Sequence, residues 1–491
     1  MTQRTFTSLL LVLAATALNA CASAQDASKA YSRAAINRGA IVPAESIRVH
    51  EYLNYFEQRF PIPTYEPLGL DVRLGNPEIP ISGGPVWLQI GLQARAVEKV
   101  ERTPLNLALV LDTSGSMVAP DKMPYLKQSL MVFLGSLRPE DQVALVTYDD
   151  TAHLLWPSQL VGDGGWIRGT VESLRPSGST NLHAGLMLGM QEVERNFDIR
   201  RNNRVILLTD GIANRGVTDA GRIAGEALSY NQRGIYLSTI GLGLDFNDQL
   251  LSTLAQQGRG AYHFVDSAQE MDKVFRQGVE GLVERVANDV RISILPEAGV
   301  ELQMVTGFEG SPPADGAQVV LQDMGAGNSQ VLMVQLQAGA GAIGNRSLAQ
   351  VTLSYFDVFA QQPREAAQRV GVHSADVTRY DPLADIEVLR NATIVGSAQT
   401  LIAIDELFNS GQFQSAFYMA QAMEQDLRRV AALAGDGQMV EDADLFARYQ
   451  VTLSDALGYD PSTPTQAPNE YQPPRWGPTQ VAPLPTLGLD G

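Results

Sequence analysis

Asp112, Ser114 and Ser116 stand at alternate positions just past the apolar run Leu-Asn-Leu-Ala-Leu-Val-Leu of residues 105–111. A carboxylate and two hydroxyls directed at one point offer three hard oxygen donors, which suits Mg2+ or Mn2+ rather than a soft metal. The run before them reads as a strand of a parallel sheet, apolar almost throughout because helices cover both faces. Small polar residues past such a strand lie at the carboxyl edge of the sheet, where open α/β folds place their ligands. Two more segments carry matching groups. Pro176-Ser-Gly-Ser-Thr180-Asn is a turn-rich loop ahead of a helical stretch over 182–197, and it supplies a hydroxyl at Thr180. Arg204-Val-Ile-Leu-Leu-Thr-Asp210-Gly211 is a second buried strand ending in a carboxylate. The plainer alternative makes Ser114, Ser116 and Thr180 turn residues and Asp112 a helix cap.

A D-x-S-x-S loop, a Gly-Ser-Thr loop and a strand ending Thr-Asp-Gly, in that order, resemble the von Willebrand factor A family with its metal-ion-dependent adhesion site. All five positions of that family's metal motif are matched, by Asp112, Ser114, Ser116, Thr180 and Asp210. The resemblance implies that the hydroxyls bind the metal directly and the carboxylates directly or through water. Neutral hydroxyls leave Mg2+ under-neutralised, and the ion retains exchangeable water. An Asp or Glu carboxylate presented by a protein partner is therefore expected at the open position. His183 follows the Thr180 loop and is placed to line the metal face. His50, His153, His263 and His373 lack metal-ligand spacing.

The elements that must hold these residues alternate between strand and helix over 104–286. A helix is expected over 122–137, and a hairpin of strands 142–148 and 153–160 across Asp149-Asp150-Thr151. Helices 167–174 and 182–197, strand 205–209, helix 219–233, strand 236–242, helix 247–257, strand 261–265 and a closing helix 268–286 follow. This order gives an α/β fold with a doubly wound, mainly parallel, Rossmann-like sheet. In the resembling adhesion domains, ligation by a partner's acid shifts the last helix, which here would lead into the next domain. Before the A domain, residues 43–103 hold a helix stopped by Pro61 and Pro63, then strands 68–74 and 86–94. After it, strands 289–295, 300–306, 317–323, 329–336 and 347–356 read as a β-sandwich region over 287–360. A doubly wound domain has close termini, so residues 64–100 and 287–360 are expected to pair as one split β domain. Helical periodicity returns at 383–457, read as a small bundle on its own core. Residues 458–491 are proline-rich and read as an extended tail. This order of parts resembles a bacterial lipoprotein group of A-domain proteins.

Residues 1–20 read as a signal peptide: one basic side chain, Arg4, an apolar run over 9–17, then Leu18-Asn-Ala-Cys21. The last four resemble a bacterial lipoprotein signal, which implies lipidation of Cys21 and attachment to a membrane through the lipid. Ala22-Ser-Ala24 also fits ordinary cleavage before Gln25, which would release a soluble exported form. Cys21 is the single cysteine in 491 residues and has no intramolecular disulfide partner, which favours lipidation. The expected location is the cell envelope, at the outer membrane or periplasmic face. Residues 21–42 are small and polar and read as a tether. At 45% hydrophobic and 18% charged the chain can bury large cores, and its net charge of -18 argues against nucleic acid as a partner. Beyond the signal, no apolar run is long enough to cross a bilayer. No Gly-x-Ser-x-Gly elbow, phosphate-binding loop or His-Glu-x-x-His helix occurs, so no enzyme is expected. The expected function is a metal-dependent protein-binding lipoprotein, for adhesion or scaffolding. The alternative is an assembly or chaperone accessory that recruits a partner machine through its A domain.

Overall fold

The computed structural model describes residues 20–22, 27–96, 103–119, 122–243, 246–265, 274, 285–308, 312–313, 315–377 and 379–457. The signal peptide up to Asn19 and the proline-rich tail lie outside them, as does most of the expected closing helix 268–286.

The amino-terminal part comprises strand β1 (Ala20–Ala22), helices α1 (Ala27–Asn37) and α2 (Val49–Tyr55), and strands β2 (Leu68–Leu74), β3 (Glu78–Pro80) and β4 (Gly84–Ala94). Half of the expected tether, residues 27–37, is thus a helix, and a buried one. Ala27, Ala30, Ala34, Ala35 and Ile36 are all in the core. Composition misleads here because Ala and Ser, weakly hydrophobic on average, permit very close helix packing once their hydroxyls are satisfied. Ser28 Oγ donates to the Ser46 carbonyl at 2.6 Å and Ser32 Oγ to the Ser28 carbonyl at 2.9 Å.

The central domain runs β5 (Leu105–Asp112), α3 (Met123–Ser136), β6 (Gln142–Tyr148), β7 (Ala152–Leu160), α4 (Gly165–Ser173), α5 (Leu182–Arg195), β8 (Asn202–Thr209), α6 (Ala220–Asn231), β9 (Tyr236–Leu242), α7 (Asp248–Gln257) and β10 (Arg259–Val265). Its sheet has the order β10-β9-β8-β5-β6-β7, with β7 antiparallel to β6 and every other neighbouring pair parallel. All eight residues of β5 are buried. Leu105, Leu107, Leu109 and Leu111 enter a core with α3 and α4, while Ala108 and Val110 enter the opposite core with α5, α6 and α7. Two-sided burial explains why the strand reads as a continuous apolar run. The chain steps outward from β5 through β6 and β7, then returns to β8 on the other side. The reversal leaves a crevice at the carboxyl ends of β5 and β8, next to Asp112 and Asp210.

The chain continues as β11 (Arg285–Pro296), β12 (Val300–Val305), β13 (Ala317–Leu321), β14 (Met324–Gly325), β15 (Ser329–Ala338), β16 (Gly344–Asp357) and β17 (Gln362–Ala375). Arg285 and Val286, expected to end a helix, instead open β11. Strands of the two groups that flank the central domain pair with each other, as expected for 64–100 and 287–360. Strand β4 pairs antiparallel with β15 from Gly84–Ala338 to Gln93–Ser329 and also with β2, giving the sheet β12-β15-β4-β2. The facing sheet has the order β1-β13-β11-β16-β17-β3, with β14 on β11. Strand β17 carries the β region to Ala375, beyond the expected limit of 360. Most of its first eight residues are exposed, so it shows no apolar alternation to read.

Three helices close the described chain: α8 (Ile386–Asn409), α9 (Phe413–Ala434) and α10 (Gly437–Leu457). They do not pack on a core of their own alone. Tyr52 and Leu53 of α2 and Phe56 just after it share it with Leu427, Phe446 and Tyr449. Across the same amino-terminal segment, Arg48 pairs with Asp248 of α7 at 2.7 Å and Tyr31 meets Phe264 of β10 edge-on, with ring centroids 5.5 Å apart. The segment therefore joins the central domain to the carboxyl-terminal helices. Among the described residues no helix is long and apolar enough to cross a membrane.

Candidate metal centre

Asp112 is the last residue of β5 and is fully buried. Its Oδ1 accepts the Ser114 backbone N–H at 2.8 Å, and its Oδ2 accepts the Thr209 hydroxyl at 2.7 Å and the Tyr148 hydroxyl at 3.3 Å. Burial pushes the Asp112 carboxyl above its ordinary range, and the hydrogen bonds from Ser114 and Thr209 pull against that push. Tyr148 stands opposite Asp112 in the register of β6 with β5. Thr209 is visible in the Thr-Asp-Gly string, whereas Tyr148 reaches the site through strand pairing, which a linear reading does not show.

The second carboxylate, Asp210, is also fully buried and follows β8 directly. Its Oδ1 accepts the Ser116 hydroxyl at 2.7 Å, and Ser116 Oγ lies 3.0 Å from Ser114 Oγ. The Lys122 ammonium stands 2.8 Å from Asp210 Oδ2. Thr180 is held by a reciprocal pair of bonds: its N–H donates to Asn214 Oδ1 at 2.9 Å, and the Asn214 N–H to its carbonyl at 3.2 Å. The loops are laced together by Gly115 N–H to the Gly178 carbonyl at 3.1 Å and Ser177 N–H to the Thr113 carbonyl at 2.7 Å. Gly178, at φ +73°, makes the turn that this lacing needs.

Gly211 tests whether these donors face one space. A Cβ placed on it would lie 3.4 Å from Thr180 Oγ1 and 3.7 Å from Ser116 Oγ. Both hydroxyls thus border the small volume that the glycine leaves beside Asp210. Neighbouring ligands of an octahedral Mg2+ at about 2.1 Å stand about 3 Å apart. The Ser114–Ser116 and Ser116–Asp210 separations are close to that spacing, so the donor set fits a hard divalent cation. Among the described residues no three His, Cys, Asp or Glu side chains gather as a metal cluster. A site of three hydroxyls and two carboxylates is consistent with that.

Residues 106–277 match the family described as von Willebrand factor type A domain, and residues 13–78 match one described as von Willebrand factor. The first of these matches spans most of the central domain and includes all five donors of the sheet edge. The chain is similar in fold to the von Willebrand factor type A protein of Catenulispora acidiphila, at a TM-score of 0.55 and 17% identity over 77% of this chain and 89% of that one. The uncharacterized protein YfbK of Escherichia coli (strain K12) is 30% identical over 274 residues, 54% of this chain and 48% of the relative. This chain therefore matches about half the length of YfbK. The uncharacterized protein sll0103 of Synechocystis is 27% identical over 351 residues, 68% of this chain and 81% of its own. A domains commonly mediate protein–protein interaction and metal-dependent binding, and they often carry a metal site.

The A-domain geometry gathers all five expected donors at the one sheet edge, but His183 is not among the contacts that join them. Its Nε2 lies 2.8 Å from Glu226 Oε2, which ties α5 to α6. Cys21 lies in β1 opposite Val320.

Proposed function

We propose that this protein is a metal-dependent protein-binding module. Asp112, Ser114, Ser116, Thr180 and Asp210 would hold Mg2+, and an Asp or Glu of the partner would complete its shell. Binding, not catalysis, is the proposed role, and the lipid on Cys21 would hold the module at the bacterial envelope. The observation that carries the reading is the arrangement of exposure. Asp112, Ser114, Thr180 and Asp210 are buried, while Ser116 alone of the five is exposed. Donors sunk below the rim can grip an ion, and the opening at Ser116 leaves a face for a ligand from outside. The ion, when bound, supplies a positive centre that attracts a carboxylate. Tyr148 and Thr209 orient Asp112, Asn214 sets the Thr180 loop, and Lys122 offsets the charge of Asp210.

Calorimetry with Mg2+ tests the reading. The wild-type chain is expected to take up one ion, and Ser116→Ala with Thr180→Ala to lose most of that affinity. Envelope proteins retained by the wild type in Mg2+ should be released by EDTA and not retained by the double variant. Equal Mg2+ binding by both chains would end the proposal. These hydroxyls are better probes than Asp112, because Asp112→Ala also strips the buried Thr209 and Tyr148 hydroxyls of an acceptor, at about 1–3 kcal/mol.

A further inference from the structure

Two aliphatic side chains stand in water at the rim of the donor cluster. Val118 is 75% exposed and Ile212 57% exposed. Each lies two residues past a donor, Ser116 and Asp210, and those two donors are hydrogen-bonded at 2.7 Å. Val118 ends a single 3-10 turn, Gly115–Val118, whose Met117 is fully buried. The turn is pinned by Met117, and Val118 is left on the outside. Covering either side chain would remove apolar surface from water, which favours binding. The face therefore suits a carboxylate with aliphatic residues beside it.

The chain contains such a segment. The tail after Leu457 has three acidic residues, Asp460, Glu470 and Asp490. Asp460 comes three residues after the end of α10, and Glu470 lies between Asn469 and Tyr471. Asp490 alone among them follows an aliphatic pair, in Leu487-Gly-Leu489-Asp490. From Leu457 to Asp490 is 33 residues (490 less 457), and a stretch of that length can span at most about 110 Å. A compact body of this size has a radius of gyration of about 22 Å, so the segment can arrive at any face. Pro478, Pro483 and Pro485 restrict the backbone before it, which lowers the entropy lost on docking. Linkage in one chain also gives the segment an effective concentration on the order of millimolar.

We propose that residues 487–490 are an internal ligand of the A domain in the same chain. Asp490 would occupy the partner position at the donor cluster, with Leu487 and Leu489 against Val118 and Ile212. The tail would then compete with outside partners and set a threshold for their binding. The idea rests on the metal reading above.

The test uses the full chain and a fluorescent peptide of residues 481–491, amidated so that Asp490 is its only carboxylate. The Asp490→Asn chain is expected to bind this peptide in Mg2+ and not in EDTA. Wild type should bind it at least about ten-fold more weakly, because its own tail is in place. Ile212→Ser added to Asp490→Asn should weaken the peptide about ten-fold while calorimetry shows unchanged Mg2+ uptake. If Mg2+ binds but the Asp490→Asn chain ignores the peptide, the internal ligand is refuted and the metal site stands. If no Mg2+ binds at all, both readings fall. If sedimentation shows wild-type dimers that Asp490→Asn dissolves, the tail acts between chains and the same-chain proposal is overturned.

Discussion

At the seam between α1 and α10, Lys29 and Asp442 are buried against each other at 2.5 Å, and nearby Arg390 meets Asp436 at 2.5 Å. At the edge of the A-domain sheet, Asp112 and Asp210 are buried among hydroxyls, with the Lys122 ammonium 2.8 Å from Asp210. The seam balances its charge inside the chain, one cation to each carboxylate. Burial still pushes Lys29 down and Asp442 up, so each group's charge depends on the other's being present. The sheet edge surrounds two carboxylates with neutral oxygens and the Lys122 ammonium. Hydroxyls cannot neutralise a carboxylate, but they can share a metal with it. Buried charge thus has two uses under the proposed reading: it fastens one region and would equip the other for a cation from outside.

The largest effect is expected at the seam. Lys29→Met leaves Asp442 buried without its cation, and breaking a buried pair in this way costs about 3–5 kcal/mol. Urea unfolding of the full chain, followed by circular dichroism, should show the loss as an earlier transition of the helices. Lys29→Met with Asp442→Leu should recover most of it, because no uncompensated charge remains. A single variant as stable as wild type would mean that water reaches Asp442 and the seam is not sealed.

The sheet edge should answer to metal where the seam does not. With Mg2+ at a hundred times its dissociation constant, the folded state gains about 2.7 kcal/mol by mass action. Ser116→Ala should remove most of that gain while leaving metal-free stability within about 0.5 kcal/mol, since its side chain lies at the exposed rim. Lys29→Met should keep the gain in full. If Mg2+ stabilises Ser116→Ala and wild type equally, the exposed hydroxyl is not a ligand, and the contrast between the two regions loses its basis.

The sheet edge was legible because its signals are local. Apolar runs, a turn of small residues and a strand ending in Asp each lie within a few consecutive positions, and the fold class follows from their order. Tyr148 was not legible as a support of Asp112, because only the pairing of β6 with β5 brings its hydroxyl there. The seam was hidden for a related reason. Lys29 and Asp442 are 413 positions apart, and a helix of Ala and Ser has the composition of a tether until something is known to pack on it. Strand β17 was missed because an exposed hairpin strand has little apolar alternation. Local periodicity shows which elements form, and the meeting of surfaces distant in sequence decides which of them are buried.

The smallest effect concerns the contact that joins the two regions. Glu51 of α2 is wholly buried; its Oε1 accepts Arg48 Nε at 2.6 Å and its Oε2 the Ser28 N–H at 2.8 Å. Arg48 continues to Asp248, whose Oδ1 accepts the Tyr262 hydroxyl at 2.5 Å. Burial raises the Glu51 carboxyl from 4.5 to about 7, against the pull of Arg48 and of the Ser28 N–H. A raised carboxyl in the folded state means that the folded chain holds this proton more tightly than the unfolded one. The stability it contributes is full below about 4.5 and is lost as pH rises through about 7, with a slope of at most about 1.4 kcal/mol per pH unit. Urea midpoints of wild type should therefore fall between about pH 5 and about pH 7.5 by more than those of Glu51→Gln, which carries no titrating group there. Ser116→Ala should follow wild type, since the sheet edge takes no part. Equal slopes in wild type and Glu51→Gln would show that Arg48 keeps Glu51 ionised throughout. The link between the A domain and the helices would then be a permanent ion pair, of the same kind as the seam, and would carry no pH dependence of its own.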